Sequence, residues 1–437
     1  MNPFLGMLIT LALVAVLLFA IRVVQLKYSL HAEWVRKLVH VGSGLVALSF
    51  PWLYRSAWPV VMVCVIAALG LVVLRRSERW GQILGGVKRE SGGEFYFPLT
   101  VALIFVLSKG DPVLYCIPLM ILTFADAAAA LVGTYYGLLY YRTAEGRKST
   151  EGSLVFFVVA FFSTHVPLLL FTDIGRADSL LIGLLVGFLC MVIEAIGRRG
   201  QDNLLIPLLA FMILKSSVER NVVELALEAT VTVALLVFIL LLRRRTAFSG
   251  SALLGAVLVG YLSWTLGGWL WMLAPLIMFT VNVLLPRRSN GNSKAQHFNV
   301  VLYVSGAGLA WLFLARATNR DELIVAFVVA FAAQLAMLSL RRLRVRLPAF
   351  HGVTIVGLSA MIGWLSLFIP FVALGAFAGM ILSVAFWSLV AVFLGAWLYN
   401  RKLMQVMQTP DTPLPWRQQG LYGAVVSLVA LVPLYLF

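Results

Sequence analysis

Hydrophobic runs of membrane-spanning length recur from one end of the chain to the other, and the polar stretches between them reach only about 20 residues. A bilayer core of roughly 30 Å takes about 20 apolar residues in a helix, because each residue rises about 1.5 Å. On that measure spans fall at about 4–24, 38–54, 58–74, 98–107, 113–135, 153–171, 180–197, 204–217 and 222–242. They continue at about 250–266, 269–285, 298–315, 323–340, 350–371, 374–399 and 421–437. The pattern predicts an all-α polytopic integral membrane protein of about 14–16 transmembrane helices. The fourth and eighth spans are short enough to be half-helices or partly re-entrant. The first run, Phe4 to Val24, is too long for a signal-peptide core and lacks a small-residue cleavage site after it, so it is expected to be retained.

Composition agrees with this reading: of 437 residues 62% are apolar and 12% charged. The net charge of +16 would point to nucleic acid in a soluble protein. Here its distribution matters more, and no nucleic-acid partner is expected. With the N-terminus outside, about 27 of the 34 Lys and Arg residues fall on the inner side. That bias predicts a cytoplasmic face near Arg147, Arg199 and Arg344, in a bacterial inner membrane. Cys64, Cys116 and Cys190 lie within apolar runs without metal-ligand spacing and read as small hydrophobes. The segment Arg75 to Phe97 reads as a short interfacial helix followed by a tight Gly92-Gly93 turn. Motif-like polar residues thin out after Arg243–Ser249, which divides the chain into a first domain, 1–245, and a second, 246–437.

Charges inside the spans carry the chemistry, since a carboxylate at bilayer depth costs roughly 2.5–3.5 kcal/mol on insertion scales. Asp126 is such a carboxylate, set among small residues and followed about 20 residues later by the loop Arg147-Lys148-Ser149-Thr150-Glu151-Gly152. Arg36, Lys37 and His40 share one helical face at the inner surface. Glu94 precedes the short fourth span, and Glu194 stands one turn before Arg198-Arg199 and shortly before Gln201-Asp202-Asn203. Asp126, Glu194 and Asp202 are thus expected to meet at the inner face. Mg²⁺ favours one or two carboxylates together with substrate phosphates. Arg147 and Lys148 suit phosphates, helped by backbone N–H groups near Gly146 and Gly152. Phosphoryl transfer requires chiefly such positioning and charge neutralisation. Gly133-x-x-x-Gly137 and Gly183-x-x-x-Gly187 read first as helix-packing faces.

Five stretches together resemble the dolichol kinase and phytol kinase family, polytopic lipid kinases that use CTP. They are RKLVHVGSG, Gly92-Gly93-Glu94 with Tyr96-Phe97-Pro98, FADAAAALVGTYYG, RKSTEGSL, and Glu194 with Asp202-Asn203-Leu204, spread over about residues 33–215. The resemblance implies phosphoryl transfer from CTP to an isoprenoid or related lipid alcohol, with Mg²⁺ as cofactor and membrane lipids as surroundings. It implies metal or nucleotide binding by Asp126, with Lys148, Ser149 and Glu151 shaping the phosphate site. The catalytic set is then Asp126, Lys148, Glu151 and Glu194, with Asp126 and Glu194 as metal ligands. Arg147, Lys148, Ser149, Gly152 and Gly133 form the expected nucleotide site, and Arg36, Lys37, His40, Glu94, Asp202 and Asn203 the expected substrate site.

The sequence also leaves two rival classes open. The family is also similar to CDP-diacylglycerol synthases, which would make this a cytidylyltransferase releasing pyrophosphate, although their longer C-terminal signature is absent. A transporter would carry its acids at the midplane of matching halves, whereas here they gather at one face. The second half, through SGSALLGAVLVGYLSWTLGGWLW and HGVTIVGLSAMIGW, is similar to the membrane family that includes phytyl-phosphate kinase. That family's acidic Asp-Thr … Ser-Glu helix is replaced here by AFAAQLAMLSL, with Gln334 near the expected Asp. The second half therefore reads as degenerate or accessory, with Gln334, Arg346 and His351 as residual candidates for lipid-phosphate contacts.

Overall fold

The computed structural model describes residues 2–29, 32–76, 93–143, 146–197, 200–285, 296–407, 415–432 and 434. For residues 32, 33, 72–76, 93, 94, 142, 406 and 407 only the backbone is described. Each of the sixteen expected spans corresponds to a helix among these residues. The protein is an all-α polytopic membrane protein, and ten of its described helices are long and apolar enough to cross a bilayer. The expected interfacial helix between Arg75 and Phe97 lies mostly outside the described residues.

The chain divides into two compact units, Met1–Thr230 and Val231–Phe437. The division falls inside an apolar helix, upstream of the composition change at Arg243–Ser249. The first unit contains α1 (Pro3–Tyr28), α2 (Ala32–Leu48), α3 (Ala57–Arg76) and α4 (Gly93–Ser108). Its α5 (Pro112–Tyr135) is one continuous span whose residues Ile121–Ala125 form a π-helical turn directly before Asp126. Such turns widen the helix by one residue and re-aim the side chains that follow, and they are frequent at functional sites. A short antiparallel hairpin follows, β1 (Tyr140–Thr143) and β2 (Gly146–Ser149), pairing Tyr141 with Lys148 and Arg142 with Arg147. Gly146 closes it at φ 142°, a conformation that side-chain-bearing residues rarely adopt. Then come α6 (Thr150–Phe171), α7 (Arg176–Ile196), α8 (Asp202–Ser217) and α9 (Val222–Leu242), the last crossing the division between units.

Within this unit α6 packs along both α5 and α7, while α8 packs on α4, α5 and α7. The approach of α5 to α6 depends on paired glycines. A Cβ on Gly152 would stand 2.9 Å from the Ala129 carbonyl and 3.2 Å from the Gly133 Cα. These glycines are therefore helix-packing residues, as Gly133-x-x-x-Gly137 first suggested.

The second unit is built around α13 (Ile324–Arg346), whose residues from Ile324 to Met337 are all buried. Around it stand α11 (Trp269–Leu284), α12 (Phe298–Thr318), α14 (Gly352–Ala373), α15 (Ile381–Met407) and α16 (Trp416–Val429), with α10 (Gly250–Gly267) against α11 and α12. A helix apolar on all sides needs this complete jacket.

Candidate active site

The site begins with the motif RKLVHVGSG on α2. Lys37 is buried, and its Nζ donates to Asp126 Oδ2 at 2.6 Å and to the Asp126 carbonyl at 3.3 Å. One turn on, His40 Nε2–H donates to the Leu122 carbonyl inside the π turn at 3.0 Å and lies 3.5 Å from Asp126 Oδ2. The His40 ring also meets the Phe97 ring edge-on at 5.5 Å between centroids. Gly44 completes the fit, because any Cβ there would collide with the Thr123 side chain. The sequence of α2 thus locks it onto the π turn and gives the Asp126 carboxylate two nitrogen neighbours. A further contact joins the start of α2 to the end of α5, where Trp34 Nε1 donates to the Tyr135 hydroxyl at 2.5 Å.

The second half of the site comes from the hairpin. Strand alternation puts Lys148 on the face of its partner Tyr141 and opposite Ser149 and Arg147. Lys148 Nζ donates to Glu194 Oε1 on α7 at 2.6 Å and also to the Glu194 carbonyl. Burial alone would lower the Lys148 amine, but the Glu194 carboxylate, aided by Asp202 and Tyr141, holds it above its ordinary value. Tyr141 is tied down through its hydroxyl, 2.7 Å from Ser153 Oγ.

These two pairs belong to one electrostatic cluster. Asp126, Glu194 and Asp202 lie close enough to feel one another's charge, and Asp202 also feels Lys37 and Lys148. Asp202 opens α8 and takes part in no ion pair among the described residues; its Oδ1 accepts from Asn203 N at 3.2 Å. Asn203 joins α8 to α4, its carbonyl accepting from Thr100 Oγ1 at 2.9 Å. The structure therefore gathers Lys37, His40, Asp126, Lys148, Glu194 and Asp202, with Arg36 adding its charge to Asp126 and His40. The sequence placed these residues at one membrane face, and the geometry brings them together.

Other expected site residues stand elsewhere. Glu151 is half-buried and accepts from Leu139 N at 3.0 Å, so it clamps the start of the hairpin instead of facing Lys148. Ser149 is the N-cap of α6 and accepts from Gly152 N at 3.0 Å, which occupies the N–H expected to meet phosphate. Gly133 and Gly152 face each other across a helix contact that leaves no room for a nucleotide. Arg147 is exposed on the opposite face of the hairpin from Lys148. The Glu94 side chain lies outside the described residues. Tyr141, Thr123 and Phe97 were missed as site neighbours.

In the second unit, Gln334 is fully buried and bonded to Gln419, its Oε1 accepting from Gln419 Nε2 at 2.9 Å. It serves core packing and does not face a ligand. His351 is exposed at the start of α14, and Arg346 lines a cavity.

The donor set fits a hard divalent cation. Glu194 Oε2 is buried without a hydrogen-bond partner among the described residues, within electrostatic reach of Asp126 and Asp202. Among the described residues no group of three or more acids, histidines or cysteines stands close enough together to hold a metal ion by itself. An incomplete set is what Mg²⁺ uses when substrate phosphates and water supply its remaining ligands.

Comparison with known proteins gives one informative relative. A phytol kinase from Synechocystis sp. is 34% identical over 179 residues, which is 40% of this chain and 76% of that protein. No family model matches the chain, and no solved structure matches it.

Proposed function

Since the chain belongs to the phytol kinase family of membrane-bound lipid kinases, we propose that its first unit transfers a phosphoryl group from CTP to an isoprenoid or related lipid alcohol. The observation that carries this reading is the convergence of Asp126, Lys148 and Glu194, from three separate stretches, into one half-buried electrostatic cluster. Lys37 and His40 hold Asp126 in place, and Lys148 offers a permanent positive charge to the nucleotide phosphates. Asp126 and Glu194 are the proposed ligands of Mg²⁺, which when bound would neutralise charge on the transferred phosphoryl group. Asp202, with no cation bonded to it among the described residues, is assigned to the alcohol hydroxyl and the proton it releases.

The site is assigned to the cytoplasmic side of the inner membrane, in line with the Lys and Arg distribution. The second unit is read as accessory to the chemistry. The phytol kinase relative favours a kinase over a cytidylyltransferase. To test the function, purified protein is incubated with Mg²⁺, CTP or ATP, and phytol, polyprenol or diacylglycerol. A lipid monophosphate with a nucleoside diphosphate is expected, with CTP preferred. Release of pyrophosphate from a lipid phosphate, or no product from any alcohol, would overturn the assignment.

A further inference from the structure

Both acids assigned to the divalent cation already hold an ammonium group. Lys37 Nζ stands 2.6 Å from Asp126 Oδ2, and Lys148 Nζ stands 2.6 Å from Glu194 Oε1. Each pair is therefore neutral as it stands. A free divalent cation entering here would place two more positive charges beside two ammonium groups, and partial burial strengthens that repulsion. A cation that arrives with phosphates brings negative charge of its own and new acceptors for a lysine.

The two pairs are built differently. The Lys37 side chain is 4% exposed and bonds to one residue, through the Asp126 carboxylate and carbonyl. Further along α2, His40 bonds to the Leu122 carbonyl and Gly44 sits tight against Thr123, so Lys37 belongs to a fixed helix contact. Lys148 is 26% exposed and extends from a hairpin whose strands have four residues each. Its Nζ also donates to the Glu194 carbonyl in the last turn of α7, where the helix dipole favours a cation. An ammonium carries three N–H groups, and Glu194 takes two of them, which leaves one for an incoming anion. Lys148 covers Glu194 Oε1, while Oε2 is buried without a hydrogen-bond partner among the described residues. Once the lysine holds another anion, that carboxylate is open to a cation.

We infer that Lys148 is a latch on Glu194 that nucleotide phosphates release, so that the site takes its divalent cation together with a nucleotide and binds the free cation poorly. The inference rests on the kinase reading of this site. Lys37 remains on Asp126 throughout, and Lys148 is the group that changes partner.

The test uses full-length purified protein in detergent and Mn²⁺ as the cation probe, followed by loss of the free-ion paramagnetic resonance signal with no nucleotide present. Lys148→Met and Lys148→Gln should each bind Mn²⁺ ~10-fold or more tighter than wild type, because a like charge beside the ligand is gone. Lys148→Gln keeps a hydrogen-bond donor for Glu194, which guards against loss of the fold. Adding Glu194→Gln should cancel the gain, and Lys148→Arg, which keeps the charge, should bind Mn²⁺ as weakly as wild type. A lysine with a merely structural role would give a loss of affinity on removal, not a gain. In a second arm, labelled β,γ-methylene analogues of CTP and ATP are bound in excess Mn²⁺ or in EDTA. Wild type should bind an analogue at least ~10-fold tighter with Mn²⁺, and Lys148→Met should bind it ~10-fold more weakly than wild type does. If nucleotide binds as expected but folded Lys148→Met and Lys148→Gln hold free Mn²⁺ no tighter than wild type, the latch is overturned and the kinase reading stands. If neither analogue binds in any condition, the kinase reading fails and the inference falls with it.

Discussion

Replacing Lys148 with methionine separates the structural role of its ion pair from the chemistry assigned to it. The amine holds Glu194 Oε1 at 2.6 Å, while Glu194 Oε2 already lacks a partner among the described residues. Removing one member of a buried pair costs ~3–5 kcal/mol, because the other charge is left uncompensated. Lys148 is 26% exposed and Glu194 13%, so water reaches the pair and the lower end, ~3 kcal/mol, is expected. Adding Glu194→Gln removes the stranded charge and should recover roughly 2 kcal/mol, seen as non-additivity in a double-mutant cycle. Unfolding of the purified variants in mixed micelles measures this coupling. Turnover is measured on the same samples, and the stabilised double variant should stay ~10²-fold or more below wild type, since positioned charge is what phosphoryl transfer needs. Additivity within ~0.5 kcal/mol would refute the pair as a buried unit. Turnover that returns with stability would refute its role in the reaction.

Other expectations follow from single contacts. Gly152→Ala should destabilise by ~1–3 kcal/mol, because the new methyl meets backbone at Ala129 and Gly133 that cannot rotate away; thermal unfolding checks this. Lys148 sits above its ordinary value near 10.5, so the stability its pair contributes is fully present below that pH and is lost as pH rises through the higher folded value. Wild type and the double variant should therefore differ by a constant amount from pH 7 to about 9.5 and converge only above ~10.5. Gln334→Ala should cost ~1–3 kcal/mol by leaving Gln419 unpaired in the core, yet keep turnover of the folded protein within a few-fold of wild type. A loss of orders of magnitude would place chemistry in the second unit.

The spans were legible because hydropathy over about 20 residues is a strong signal, and each expected span has its helix. The cluster was legible for the same physical reason, since Lys37, Asp126 and Glu194 are charges that a bilayer tolerates only in company. What escaped depends on register and on partners distant in sequence. The hairpin at Tyr140–Ser149 has strands of four residues and reads as a polar loop, so the pairing of Tyr141 with Lys148 was hidden. Glu151 resembled a phosphate-site acid because nothing local reveals that the Leu139 N–H needs an acceptor. The division at Thr230 falls within an apolar helix, where composition does not change. Arg341 and Arg342 looked like loop charges because the apolar run stops at Leu340, while the helix does not.

The most direct measurement follows the label from CTP carrying ³²P at either the γ or the α phosphate, with purified protein, Mg²⁺ and phytol or a polyprenol. The account predicts that γ-label appears in a lipid monophosphate and α-label stays in CDP, and that Asp126→Asn, though folded and membrane-inserted, transfers neither. Transfer of α-label to lipid, or near-normal γ-transfer by Asp126→Asn, would contradict it.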